Sequence, residues 1–271
     1  MKLLKKLVAV VALSAATFAS APAAHAVMGG RVNTHDNVAL ILLGGSLCTG
    51  TVVAPDWVLT ARHCVHQGQS LIRINNQNHY PTQAILHPSD DIALLRLNHP
   101  TQVAPAVLSD THLQPGERGE VVGYGSTQGT IATAADATVQ RRVHNLPAPL
   151  DRVTVIESQV TRGRIVQGDS GGPLFDDAGK LAAVQSGTTQ PGTVAFHTPV
   201  AEHVNWISRH AGLPAVRVLD APAPNVDARA FPTLIPAPRV PVIGNTVIES
   251  LLNYNFDLRF IPLPALIVGS S

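Results

Sequence analysis

The sequence is short of charge. Lys, Arg, Asp and Glu make up 14% of it, and the formal net charge is +1. No basic run follows the first six residues, so nucleic acid is not an expected partner. Aromatic residues are scarce at 4%, and cysteine occurs only as Cys48 and Cys64. Two cysteines exclude a disulfide-dense scaffold; an even pair in an exported chain points to one bridge. His63 and His66 flank Cys64, but there is no CxxC and no HExxH, so no metal site is expected. No acidic cluster has the spacing of a Ca²⁺ loop. No internal repeat is present, and no cofactor is expected. The chain is instead rich in turn formers, with 21 Gly and 21 Pro beside 45% apolar residues. That balance leans towards β structure.

The first 26 residues read as a signal peptide. Lys2, Lys5 and Lys6 give a positive start, Leu7 to Ala19 is apolar apart from Ser14 and Thr17, and Ala24-His25-Ala26 offers a small-x-small cleavage site. The apolar stretch is short for a membrane span. The reading implies a secreted, extracellular protein with no membrane contact after the leader is removed. Removal takes three lysines with it and moves the formal charge from +1 to −2.

From Val38 onward, short β-type runs are separated by Gly, Pro, Asn or Asp. The first set is Val38–Leu43, Gly50–Val53, Trp57–Thr60, Ser70–Ile74, Ile85–Leu86 and Ile92–Leu97. The second is Gly119–Gly123, Ala137–Leu146, Val153–Glu157, Pro173–Phe175, Leu181–Gln185 and Thr193–Thr198. Two sets of about six strands predict two similar β units rather than βαβ repeats. Val200, Val204 and Ile207 recur at helical spacing between Pro199 and Gly212, so a helix is predicted over 199–211. After Gly212 the composition shifts, and nine of the 21 prolines fall in the last 59 residues. Residues 213–271 read as a Pro-rich tail of unknown role. Asp220–Pro241 is its linker-like part, and Thr246-x-x-Glu249 suggests a short helix near Thr246–Asn253.

Three segments carry chemistry: Thr60-Ala61-Arg62-His63-Cys64, Asp90-Asp91-Ile92-Ala93-Leu94-Leu95, and Gln167-Gly168-Asp169-Ser170-Gly171-Gly172-Pro173. Each alone has a bland explanation, since a lone His is usually structural and an Asp before an apolar run is usually a cap. Together, and in this order, they resemble the trypsin/chymotrypsin family over about Val27 to Gly212. Gly123-Tyr124-Gly125 resembles that family's GWG turn, and the short step from His63 to Asp91 is similar to small bacterial members. The resemblance implies an all-β fold of two six-stranded antiparallel barrels, about 27–115 and 116–198, with a C-terminal helix. It implies a Cys48–Cys64 disulfide beside the catalytic His.

It also implies roles. Ser170 would be the nucleophile, His63 the general base that later protonates the leaving amine, and Asp91 the group that fixes the imidazole. The backbone N–H groups of Gly168 and Ser170 would form the oxyanion hole. Ser186 would support Asp91, and Gln167, Ser186 and Thr188 would lie along the substrate. Val27-Met28-Gly29-Gly30 resembles the family's mature terminus, whose amino group would pair with Asp169. A leader ending at Ala26 would make signal peptidase itself the activator; cleavage after Ala23 would instead leave Ala24-His25-Ala26 as a short pro-segment. One position departs from the pattern: trypsins carry Asp six residues before the catalytic Ser, and this chain has Arg164. Arg164 argues against cleavage after Lys or Arg. Pointing inward it would favour acidic side chains; pointing outward it would leave an apolar pocket.

Two rivals are weaker. Gly168-Asp169-Ser170-Gly171-Gly172 fits the G-x-S-x-G elbow of serine esterases, but those order their triad Ser, Asp, His on alternating strands and helices. A non-catalytic binding or adhesion protein of protease-like fold would usually lack a triad member, and none is missing. The expected protein is therefore a monomeric secreted serine endopeptidase acting on proteins or peptides.

Overall fold

The structure is a computed structural model that describes residues 27–125, 131–147, 150–189, 191–230 and 268–269. The expected leader and the expected helix near Thr246–Asn253 lie outside the described residues.

The first sheet contains β2 (Val38–Leu43), β3 (Ser46–Ala54), β4 (Trp57–Thr60), β5 (Ser70–Ile74), β6 (Gln77–His79), β7 (Pro81–Leu86) and β8 (Ala93–Leu97). Its order is β7-β8-β4-β3-β2-β5-β6, and Val268–Gly269 pairs in parallel with β7. The second sheet contains β1 (Arg31–Val32), β9 (Arg118–Gly123), β10 (Thr133–His144), β11 (Val155–Thr161), β12 (Pro173–Asp176), β13 (Leu181–Thr188), β14 (Val194–Pro199) and β15 (Asn225–Asp227). β9 pairs with both β12 and β10, which closes six strands into a barrel.

The two-barrel expectation holds, with a seam in the first barrel. There β5 and β7 approach each other, but the outer edge of β5 is already bonded to β6. Asn75 and Asn76, at φ 42° and 64°, make the two-residue turn between them. Asn tolerates that left-handed geometry, so this hairpin is built into the sequence.

β2 and β3 are buried at every position, as expected of strands covered on both faces. One continuous core joins the halves: Val52, Leu59, Ile72 and Leu94 pack in the same cluster as Val122, Phe175, Leu181 and Val184. Helix α1 (Val204–Ala211) seals it with Val204, Ile207 and Ala211, and Gly212 ends it at φ 68°. The helix starts later than predicted because Pro199 is still a β14 residue, paired with Ala183.

The chain does not leave the body at Gly212. Leu213, Val216 and Val218 pack on the core. Asp220 accepts from the backbone N–H of His112 at 2.8 Å, and β15 adds in parallel to β10. Ala228 is buried with Val143, Leu146 and Leu150. The segment read as a linker from Asp220 is therefore, to Ala230, a strap across the second barrel. Its prolines, Pro222 and Pro224, precede β15 and so remove no donor from the ladder.

Candidate active site

The candidate residues meet where the two halves join. β4 ends at Thr60, and a 3-10 turn over Arg62–Cys64 presents His63. Asp91 sits just ahead of β8, the strand paired with β4. Adjacent strands thus bring together residues 28 positions apart. Asp91 grips His63 at two points: Oδ1 accepts the His63 backbone N–H at 2.9 Å, and Oδ2 faces Nδ1 at 2.8 Å. This sets the ring's orientation and places its proton on Nδ1. His63 Nε2 is buried and has no hydrogen-bond partner among the described residues.

The electrostatics follow from that contact. Burial opposes the charged imidazole, but the charge and hydrogen bond of Asp91 outweigh it and raise the His63 pKa. Burial likewise opposes ionised Asp91, and His63 with Ser186 outweighs it, so the Asp91 pKa is lowered. Both shifts stabilise an ionised Asp91 beside an imidazolium. Ser186 Oγ also lies 2.8 Å from Thr198 Oγ1, which donates to the Asp91 carbonyl at 3.4 Å.

Ser170 is bonded into both halves. Its carbonyl accepts the Thr49 N–H from β3 at 2.8 Å, and the next residue, Gly171, donates to the Gln185 carbonyl on β13 at 2.7 Å. The Cys48–Cys64 disulfide is present, with a Cα–Cα distance of 6.1 Å, and Cys64 Sγ lies 3.6 Å from the Ser170 carbonyl oxygen. The bridge therefore ties the His63 turn to β3, whose Thr49 N–H holds the Ser170 carbonyl. Gly171, at φ 80°, is forced to be glycine, because a Cβ there would collide with Thr60 Oγ1 and the Thr49 carbonyl. Gly168, at φ 100°, faces Leu47 and Gly125 with no room for a side chain. Its carbonyl accepts from Thr49 Oγ1 at 2.8 Å.

Asp169 is buried, and no cation is paired with it among the described residues. Burial pushes its carboxyl up to about 7, against the pull of the Val166 and Gly125 N–H groups, each at 2.8 Å. Val27 is fully buried, and Met28 exchanges two 3.0 Å backbone bonds with Arg164. The segment beginning at Val27 is thus docked beside the loop that carries Asp169. Arg164 itself is exposed, and its guanidinium reaches Met28 Sδ at 3.3 Å. Its neighbour Ile165 is the buried one. Gln167 is half-buried, and Thr188 Oγ1 bonds the Val194 carbonyl at 2.7 Å, within its own sheet.

Sequence reading missed Thr49 and Thr198. Thr49 holds the Gly168 carbonyl and also accepts the Tyr124 N–H at 2.9 Å. The only sequence signal was its place next to Cys48. Thr198 carried none, because its role depends on strand pairing.

Comparison with known proteins agrees with this architecture. Residues 27–207 match the trypsin family model. An uncharacterized peptidase of Corynebacterium glutamicum strain R is 38% identical over 268 residues, covering 91% of this chain and 94% of that protein. The platelet-aggregating proteinase PA-BJ of Bothrops jararaca is 29% identical, covering 67% and 92%. Among solved structures, neuropsin, a serine protease of mouse brain, superposes with a TM-score of 0.56 at 24% identity, covering 67% of this chain and 98% of that one. The fold and the matched residues define a serine-peptidase-type protein. The chain belongs to the trypsin family.

Proposed function

We propose that this chain is a secreted serine endopeptidase working through an acyl-enzyme on Ser170. The observation that carries the reading is the two-point grip of Asp91 on His63, which leaves Nε2 buried and unpartnered on a turn whose Cys64 lies against the Ser170 carbonyl. Ser170 Oγ attacks the scissile carbonyl carbon as Nε2 takes its proton. The oxyanion is held by the N–H groups of Gly168 and Ser170. Nε2–H then protonates the leaving amine, and water repeats the cycle to release the acid. Ser186 and Thr198 position Asp91, and extended substrate pairs with the chain near Ser186 and Thr188 in β-augmentation fashion.

Signal peptidase cleavage after Ala26 frees the Val27 amino group to pair with Asp169. An unpaired buried carboxylate supports this, since burial without a counter-charge is costly. The exposed position of Arg164 favours an apolar pocket over one selecting acidic side chains. The protein acts outside the cell as a monomer.

Labelling of the secreted protein by a fluorophosphonate at Ser170, with casein hydrolysis, tests the activity. Absence of labelling in folded protein would point to a binding-only role, and ester cleavage without casein cleavage to an esterase. N-terminal sequencing tests the activation step: active material starting anywhere but Val27 sinks it. A peptide library scanned at the residue before the cut tests the pocket, and efficient cleavage after Lys, Arg or acidic residues contradicts it.

A further inference from the structure

A cluster of potential metal ligands stands one residue from the candidate triad and takes no part in it. His87, Asp90 and His203 bring one ligand atom each to within 4.8 Å of one another. Asp90 Oδ2 is the hub, 3.1 Å from His87 Nδ1 and 3.2 Å from His203 Nε2. A tetrahedral ion with bonds of about 2.0–2.1 Å needs ligand atoms about 3.3 Å apart. Two of the three edges already have nearly that length.

The surroundings also suit a metal. His203 Nδ1 lies 2.7 Å from the Pro199 carbonyl. That contact places the Nδ1 proton and leaves the Nε2 lone pair facing Asp90 in the neutral ring. Metal-binding imidazoles are typically held this way by their second nitrogen. The three residues come from separate places, the end of β7, the turn before β8 and the approach to α1, so the site is fixed by the fold. His203 is buried, while His87 and Asp90 keep 15% and 21% side-chain exposure, which gives an ion a route in. Two imidazoles and a carboxylate suit Zn²⁺ better than Ca²⁺ or Mg²⁺.

We propose that His87, Asp90 and His203 form a binding site for a first-row transition-metal dication of the Zn²⁺ type, with water as the remaining ligand. The Ser89 hydroxyl already donates to Asp90 Oδ2 at 2.7 Å, and Asp90 favours a proton on His203, so the ion must displace both. Two further features work against it. The Asp90 N–H donates to His87 Nδ1 at 3.0 Å, and the ion must displace that bond. The Arg62 guanidinium, bonded to the Pro88 carbonyl at 3.1 Å, adds positive charge nearby. Both limit affinity. Displacing the first loosens the segment that carries Asp91, so the ion is expected to lower peptidase activity as well as bind.

Trp206 supplies a local reporter. Its ring lies 5.1 Å from that of His87. The intact secreted protein is titrated with Zn²⁺ by calorimetry, and with Cu²⁺ while tryptophan emission is followed. The expected result is one saturable Zn²⁺ per chain, and quenching by Cu²⁺ that Trp206→Phe abolishes. Asp90→Asn and His87→Gln should each weaken Zn²⁺ binding at least about tenfold. His87→Gln changes a partly exposed side chain, so it tests the site even if the Asp90 variant fails to fold. The proposal is overturned if Zn²⁺ does not bind saturably, or if both folded variants bind it as the parent does. Such a result would leave Asp90–His203 as a purely structural ion pair.

Discussion

A form of the chain that keeps residues ahead of Val27 should lose stability as pH rises from about 4 to about 7. The cause is Asp169, whose carboxyl is pushed from an ordinary 3.8 up to about 7 by burial. The folded state therefore holds a proton that the unfolded chain gives up above pH 4. Stability from this group is complete below the unfolded pKa and falls until the pH passes the folded one. Three pH units at about 1.4 kcal/mol each give a loss of about 4 kcal/mol. That is a large share of a typical domain's 5–15 kcal/mol. In the form starting at Val27, an α-amino group of pKa about 8 is protonated through this window. Pairing lets Asp169 ionise against it, and the loss should shrink. The assay is urea unfolding of both forms at about pH 4.5, 6 and 7.5, on a Ser170→Ala background to prevent self-digestion. His63 titrates in both forms, so its contribution drops out of the difference. Asp169→Asn should flatten the curve of the extended form. Equal pH dependence in the two starting forms would refute the pairing.

Three further outcomes are expected. The His63 pKa is raised and the base must be neutral, so kcat/KM should fall on acidification through a pKa above 6.5. Asp91→Asn should move that limb down and cut kcat on the order of 10⁴-fold, as seen for triads of this type, read from a pH–rate profile. Gly168→Ala puts a Cβ 2.8 Å from Gly125 Cα at φ 100°, displacing the proposed oxyanion donor, and should lower kcat on the order of 10²–10³-fold with KM little changed. Replacing both Cys48 and Cys64 by Ala should cost about 3 kcal/mol, from the 16-residue separation, measured by denaturant unfolding.

Much of the fold could be read because the turns are written in Gly, Pro and Asn, and many of the strands between them in mainly apolar runs. Trp57–Thr60 and Ser70–Ile74 have the same bounds in sequence reading and structure. What could not be read was pairing. β6 is Gln77–His79, too polar and short to register as a strand, and only the Asn75–Asn76 turn hints at it. β15 was obscured by its length of three residues and by the Ala/Pro-rich segment that precedes it. Composition marks where a chain ceases to look globular, not where it ceases to pack. Leu213, Val216 and Val218 follow the helix into the same core.

The site shows the same division more sharply. His63, Asp91 and Ser170 stood out because fixed neighbours surround them, and those neighbours have local jobs: Gly171 has no room for a side chain, and Cys64 is bridged. Arg164 shows where such reasoning stops. Counting six residues back from Ser170 locates a position but not the direction of its side chain. That direction is set by the pairing of Met28 with Arg164, between residues 136 positions apart. His87, Asp90 and His203 make the point for ligands. No spacing rule joins residues 87 and 203. Their meeting depends on the β7–β8 hairpin turning beside the start of α1, which neither segment encodes alone. Catalytic motifs confined to one turn can be read from sequence. Functions assembled across elements, including pocket chemistry and the proposed metal site, require the fold first.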